Sequence, residues 1–401
     1  MGTKKRHLRD LSLPDLRALI EDLGQPDYRY RQLAAWLYQK FAPDFEAMTD
    51  LSKALREKLA AVSAVSTIQL RDVRVSKLDG TRKYLFGLPD GEAIETVLMR
   101  TGKRITLCIS TQVGCPFDCL FCQTGRMRFR RNLTPGEILD QICYLRYECQ
   151  EEAEKVNIVF MGMGEPLLNL ENLARAIRTL NDPDGFKTGS RRITVSTAGL
   201  PEKIRELADA GLHCSLAISL NAATDEKRRR LMPALKAHSI KEILDAARYF
   251  HRATGRRVTL EYVLLEGVNT SNEDARALAR LTAKEPFKIN LIPYNPGVTP
   301  GAGKAVPDRP AGAGKGGKSG LGRSTAAAKS DPGGTGSAAE DAPFKPISEE
   351  AIDRFVQLLL PSAPAVTVRR SRGADIEAAC GQLWTAAVKA KKSRPPADSV
   401  D

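Results

Sequence analysis

Several things that would decide a protein's class at once are missing from this chain. No apolar run approaches the roughly 20 residues that span a bilayer, so no membrane span is expected. The basic N-terminus, MGTKKRHLRD, has no apolar stretch behind it and does not read as a secretory signal. Position 6 is Arg where a myristoylation signal would want Ser or Thr. These absences predict a soluble, cytoplasmic protein with no membrane partner. The cysteines also lack the spread of a disulfide framework, since four of the eight fall between 108 and 122. In a long chain without a secretion signal, such a cluster points to a metal or to catalysis.

What is present begins with charge. The net charge is +13, from 61 Lys and Arg against 48 Asp and Glu. Phosphates attract such a surplus and release counterions on binding, which favours a polyanionic partner. The chain has 401 residues, 42% of them hydrophobic, enough for one large core with a satellite or for two ordinary domains.

Residues 1–70 carry apolar residues at helical spacing in LPDLRALIEDLG, YRYRQLAAWLYQKF and LSKALREKLAAV, which predicts a small helical accessory domain. Over 71–104, TRKYLFGL and AIETVLM flank a Pro-Asp-Gly turn and predict a β-hairpin linker. From 105 to 296 six short apolar strands alternate with helical stretches at 134–150, 169–180, 201–210, 241–254 and 271–283. That alternation predicts an α/β fold with a parallel sheet, here an open (β/α)6 partial barrel with its site at the strands' C-terminal ends. Residues 297–343 have one Leu and no Ile, Met or aromatic residue before Phe344, too little apolar area to offset ordering, so a disordered insertion is expected. Over 344–390 the reading is a helix capped by Ser348, a strand at AVTVRRS, and a helix at ADIEAACGQLW, before a frayed 391–401 tail.

The most informative stretch is Cys115-Pro-Phe-Asp-Cys119-Leu-Phe-Cys122, just after the first barrel strand. Zinc normally takes four ligands in spaced pairs, and no second Cys or His pair follows. Three thiolates suit a [4Fe–4S] cluster that leaves one iron open to a cofactor. The competing reading is a zinc site completed by Cys108 or Cys143.

This Cys-x3-Cys-x2-Cys motif resembles the radical S-adenosylmethionine (SAM) superfamily. Further motifs in order, MGMGEPLLN, VSTAG, SLNA, IPYNP and VRRSRGADIEAACGQL, resemble the RlmN/Cfr family of RNA adenine methyltransferases, and the likeness excludes only the insertion. It implies that the open iron chelates SAM, whose reductive cleavage yields a 5′-deoxyadenosyl radical. It implies two SAM per turnover, an electron donor such as flavodoxin, 23S rRNA as substrate and tRNA as a second. Gly164, Glu165, Ser196, Ser219, Leu220, Asn221 and Asn295 then match cofactor-binding positions. Asn221 departs from relatives that carry His there. By local pattern alone Glu165 would cap a helix and the others would be ordinary strand-end residues.

The resemblance also gives roles to three residues that look ordinary. Cys380, beside two Ala, would by default be a small buried hydrophobe. In the family its counterpart is S-methylated and carries the methyl group. Cys108 matches the cysteine that forms a transient disulfide with the carrier, and Glu95 matches the proton acceptor. Cys143, Cys149 and Cys214 match no role and are expected to be structural. Basic residues at Arg126, Arg128, Arg130 and Arg131, at Lys227 to Arg230, and at Arg369, Arg370 and Arg372 are candidates for RNA phosphate contacts. The resulting expectation is an adenine C2-methyltransferase. Its rivals are a C8-methylating relative, a radical enzyme with a non-RNA substrate, and a zinc-dependent RNA-binding protein.

Overall fold

The computed structural model describes residues 5–149, 156–296, 344–363 and 365–385. The expected disordered insertion at 297–343 and the tail at 391–401 lie outside them. Among the described residues no helix is long and apolar enough to cross a membrane.

Three helices open the chain: α1 (Leu13–Asp22), α2 (Tyr28–Tyr38) and α3 (Lys53–Val62). Ser12 begins α1 through a reciprocal capping box with Asp15, and Pro14 sits in the first turn, where its missing N–H costs nothing. Four strands follow: β1 (Gln69–Val75), β2 (Arg82–Gly87), β3 (Ala93–Thr101) and β4 (Arg104–Cys108). Helices and strands then alternate through α4 (Pro135–Glu148), β5 (Val156–Phe160), α5 (Leu170–Asn181), β6 (Ile193–Thr197), α6 (Pro201–Asp209) and β7 (Ser215–Ser219). After α7 (Asp225–Leu231) come α8 (Ile240–Thr254), β8 (Val258–Leu264), α9 (Asn272–Thr282), β9 (Phe287–Pro293), α10 (Glu349–Leu359) and β10 (Val366–Val368).

These ten strands form one sheet whose spatial order is the chain order. Pairing is antiparallel from β1 to β4 and parallel from β4 to β10. The strands β4 to β9 are the six of the expected partial barrel, and β10 adds a seventh parallel strand beside β9. Their ends converge because each helical crossover returns the chain to the same edge direction.

Two expectations need correction. The 71–104 hairpin is not a separate linker. It gains a third strand, β1, and β3 pairs directly with β4, so the hairpin extends the barrel sheet. β1 carries no apolar alternation to mark it, because every one of its residues is exposed and QLRDVRV has no buried face. The helix expected at ADIEAACGQLW is a single tight turn at Ala374–Ile376. Glu377 and Gly381 take left-handed backbone (φ 57° and 85°), and the following carbonyls are used elsewhere, so no helix propagates.

The N-terminal helices are joined to the barrel by a buried ion cluster. Asp140 on α4 accepts from Arg9 at 2.7 Å, faces His7 at 3.1 Å, and accepts from the Ser66 hydroxyl and Thr67 N–H, each at 2.9 Å. Burial alone would push His7 down. Asp140 and Asp10 outweigh it and raise the imidazole to about 9.

Candidate active site

The motif cysteines occupy the loop after β4. Cys115, Cys119 and Cys122 border a cavity of about 170 Å³, together with Gly164, Glu165, Ser196, Ser219 and Asn221 at the ends of β5, β6 and β7. The loop's backbone turns tightly, with the Cys122 N–H donating to the Cys119 carbonyl at 3.0 Å. Burial pushes the Cys115 thiol up to about 12 and raises Cys119 and Cys122 as well. Thiols so placed ionise when a positive centre compensates them. Among the described residues no three Cys, His, Asp or Glu side chains converge as a single metal ion would require. A cubane cluster takes each thiolate on a different iron, so three thiolates lining one cavity suit it better than they suit one zinc ion. Cys143, the suggested fourth zinc ligand, is buried on α4, where its thiol faces the Leu37 carbonyl.

Two glycines shape the strand ends around this cavity, Gly164 on its wall and Gly199 behind it. Gly164 has φ +100°, and a Cβ there would meet the Gln112 side chain at 2.5 Å. Gly199 has φ +97°, and a Cβ would come within 3.0 Å of the Arg228 guanidinium. Both positions need glycine for conformation and for closeness. Glu165 is buried; it caps the following turn by accepting from Leu167 N–H at 3.1 Å and also accepts from Ala198 N–H at 2.7 Å. Burial raises its carboxyl to about 7, and no cationic side chain among the described residues pairs with it. A buried carboxylate of this kind fits the ammonium of a bound amino acid moiety.

Asn221 has φ +57° and is buried; its amide oxygen accepts from Val263 N–H at 3.0 Å. Leu220 is fully buried and absent from the cavity wall; its N–H donates to Glu261 and its carbonyl accepts from Arg228. Asn295 lies on a second cavity, of about 320 Å³, with Cys108 and Cys380. Cys122, Arg369 and Cys380 border both cavities, so the two thiols assigned to methyl transfer adjoin the cluster loop. Cys108 is buried and its thiol pushed up to about 12 by burial. All eight cysteines are free.

The Cys380 loop is fastened to the cluster loop. The Gln123 N–H donates to the Gly381 carbonyl at 2.7 Å, and the Thr124 hydroxyl to the Leu383 carbonyl at 2.6 Å. Gln382 donates to the Pro296 carbonyl at 2.8 Å. Glu95, on β3, borders neither cavity. Its carboxylate pairs with Lys83 at 3.1 Å and accepts from Trp384 N–H at 2.9 Å. Burial raises its pKa while Lys83 opposes the rise.

The basic runs divide. Arg126, Arg128 and Arg130 are exposed after the cluster, as are Arg229 and Arg230 on α7. Three others are committed to partners within the fold, contrary to expectation, and one of them is buried. Arg131 grips Glu137 through two bonds at 2.7 and 2.8 Å, Lys227 pairs with Asp274 at 2.7 Å, and Arg228 is 1% exposed. Arg228 donates to the carbonyls of Ser219 (2.9 Å), Leu220 (2.6 Å) and Ala198, tying the ends of β6 and β7 together. A basic run reads as solvated in sequence, and nothing in it signals which member turns inward. Of the third group, Arg370 pairs with Glu349 and Arg372 donates to the Arg100 carbonyl at 2.7 Å.

Comparison with known proteins agrees with this arrangement. Residues 109–279 match the Radical SAM superfamily, and residues 6–65 match the ribosomal RNA large subunit methyltransferase N-terminal domain. A probable dual-specificity RNA methyltransferase RlmN of Thermotoga petrophila is 42% identical, over 96% of this chain and 99% of its own. The dual-specificity RNA methyltransferase RlmN of Geobacter sulfurreducens is also 42% identical, over 94% of this chain and 91% of its own. A crystal structure of a radical SAM methyltransferase from Sphaerobacter thermophilus superposes with TM-score 0.81 and 40% identity, covering 94% of this chain and 99% of that one.

Proposed function

The chain belongs to the RlmN family of radical SAM RNA methyltransferases, and from that premise we propose that it methylates C2 of an adenine in 23S rRNA and in tRNA. The family membership carries an RNA substrate, a [4Fe–4S] cluster and SAM. Consumption of two SAM per turnover, a flavodoxin-type reductant and a cytoplasmic setting belong to this reading.

Cys115, Cys119 and Cys122 would hold the cluster, and Glu165 with the strand-end residues Gly164, Ser196, Ser219 and Asn221 would hold SAM. Asn295, on the neighbouring cavity, would approach the adenine moiety. When bound, the two groups supply the methyl carbon and the radical that activates it. The ring carbon between two nitrogens is electron-poor and does not attack a sulfonium, which is why an ordinary methyltransferase site would not serve. The chain's own residues then do three things. Cys380 carries the methyl carbon on sulfur and presents it to the ring. Glu95 removes the ring proton once the new carbon–carbon bond exists. Cys108 attacks the Cys380 sulfur: the disulfide forms, the sulfur–carbon bond breaks, and the released carbon takes up a proton to become the methyl group of the base. The adjoining cavities support this sequence most strongly, because Cys122 and Cys380 border both and Cys108 lines the same cavity as Cys380.

The target base must leave its stack to reach so enclosed a site. The experiment is Cys380→Ala incubated anaerobically with RNA, reductant and methyl-labelled SAM. The expected result is no label in RNA and none at the C-terminal peptide. Methylated RNA formed at the wild-type rate would refute the carrier. Digestion of the wild-type product and chromatography against 2-methyl- and 8-methyladenosine tests the regiochemistry.

A further inference from the structure

Lys83 is a lysine in the wrong place for a surface residue. It lies near the start of β2 and is 4% exposed, and Glu95 is 6% exposed. In the β2–β3 register Leu85 stands opposite Glu95 and Lys83 opposite Val97, so Lys83 and Glu95 are diagonal neighbours on one face. The Lys83 ammonium reaches one Glu95 oxygen at 3.1 Å and the Glu377 carbonyl at 3.1 Å. The other Glu95 oxygen accepts the Trp384 N–H at 2.9 Å. Glu377 and Trp384 bracket Cys380. A buried cation therefore joins the carboxylate to both sides of the loop that bears the carrier thiol.

We propose that Lys83 is a positioning residue for proton removal, holding Glu95 as a carboxylate and fastening the Cys380 loop to it. This rests on the reading of Glu95 as the proton acceptor. A base must be ionised before it accepts a proton, and burial works against that. The groups facing Glu95 are few: Lys83 from β2, Arg74 from β1, and the Trp384 N–H from the C-terminal loop. Arg74 is exposed and engaged with Asp72 and Glu377 at 3.4 and 3.8 Å, which leaves Lys83 as the buried counter-charge. When Glu95 takes the proton, its charge is lost and its hold on both Lys83 and the Trp384 N–H weakens. The loop is then held less tightly on its Glu95 side at the stage where Cys108 must reach Cys380. The ring carbon loses one proton and Glu95 gains it, a transfer that itself needs no oxidant or reductant.

The test uses the reconstituted full-length enzyme with an rRNA fragment and methyl-labelled SAM, comparing Lys83→Met, Lys83→Arg and Glu95→Gln. Lys83→Met should still methylate Cys380, since that half-reaction does not use Glu95 and the bonds from Gln123, Thr124 and Gln382 still hold the loop. It should then stall with RNA covalently attached to the protein, visible on a denaturing gel. Its release rate at neutral pH should fall about tenfold, and the acidic limb of its pH profile should move up by about one unit, since each unit changes the ionised fraction tenfold. Lys83→Arg should recover most of the rate. The proposal is overturned by a Lys83→Met enzyme with wild-type release and pH profile, by one that also loses Cys380 methylation, or by a Lys83→Arg enzyme equally impaired. Normal turnover by Glu95→Gln would instead remove the reading of Glu95 as the base.

Discussion

Replacing Arg228 by methionine keeps much of the side chain's volume and deletes its guanidinium. Two opposed effects follow, and the structure gives both. Burial lowers the guanidinium from 12.5 to about 10. At ~1.4 kcal/mol per unit, this marks roughly 3 kcal/mol already spent on keeping a cation there, which the substitution returns. Against that, the carbonyls of Ala198, Ser219 and Leu220 lose their donor. Each orphaned buried acceptor costs about 1–3 kcal/mol. The net expectation is a loss of about 3 kcal/mol, confined to the ends of β6 and β7, where Ser196, Ser219 and Asn221 face the cofactor cavity. Guanidinium chloride unfolding of the metal-free protein measures the stability term, and labelled SAM binding to the reconstituted protein measures the local one. Arg228→Lys should restore only part of either, because one ammonium cannot reach three divergent carbonyls as a fork does. A Met variant with unchanged stability and SAM affinity would refute the claim that Arg228 builds this wall.

Other perturbations have equally definite outcomes. Glu165→Gln keeps the shape but removes the buried charge, and SAM affinity in isothermal titration should drop about tenfold or more, as expected for a charge-assisted bond worth ~1.5–3 kcal/mol. His7 titrates near 9 in the fold against 6.5 ordinarily. Its raised pKa contributes stability that is complete below about 6.5 and lost as pH climbs through 9. Wild type should therefore lose roughly 2–3 kcal/mol over that window in denaturation series, and His7→Gln should be flat there. Arg128→Glu with Arg130→Glu should weaken RNA binding and flatten its dependence on salt, by about one unit of slope per lost phosphate contact. Arg131→Gln should instead cost stability with little change in that slope, since Arg131 is spent on Glu137 and Asp90.

Much of this molecule is legible in its residues because the features concerned are local. The strands β4 to β9 are short apolar runs, and helix starts carry capping boxes at Ser12, Thr134, Ser239 and Ser271. The cysteine triplet announces its chemistry through spacing. What stays hidden depends on how distant segments meet. β1 belongs to the sheet although neither face is buried, because its backbone pairs with β2. Arg228 sits in a run of four basic residues, and only the packing of α7 beneath Gly199 makes it internal. Lys83 occupies a strand position where alternation allows either face. The segment around Cys380 has helical composition, yet its carbonyls are taken by Gln123 and Thr124 of the cluster loop. Tertiary hydrogen bonds there outweigh propensity.

The claim under all of this is that Cys115, Cys119 and Cys122 leave one iron of a cluster free to bind SAM. Anaerobic reconstitution followed by reduction and electron paramagnetic resonance, with and without SAM, measures it directly. The account predicts about four iron and four sulfide per chain, a reduced-cluster signal that changes when SAM is added, and loss of both in Cys119→Ala. A colourless protein that takes up zinc, or a cluster signal indifferent to SAM, would contradict it.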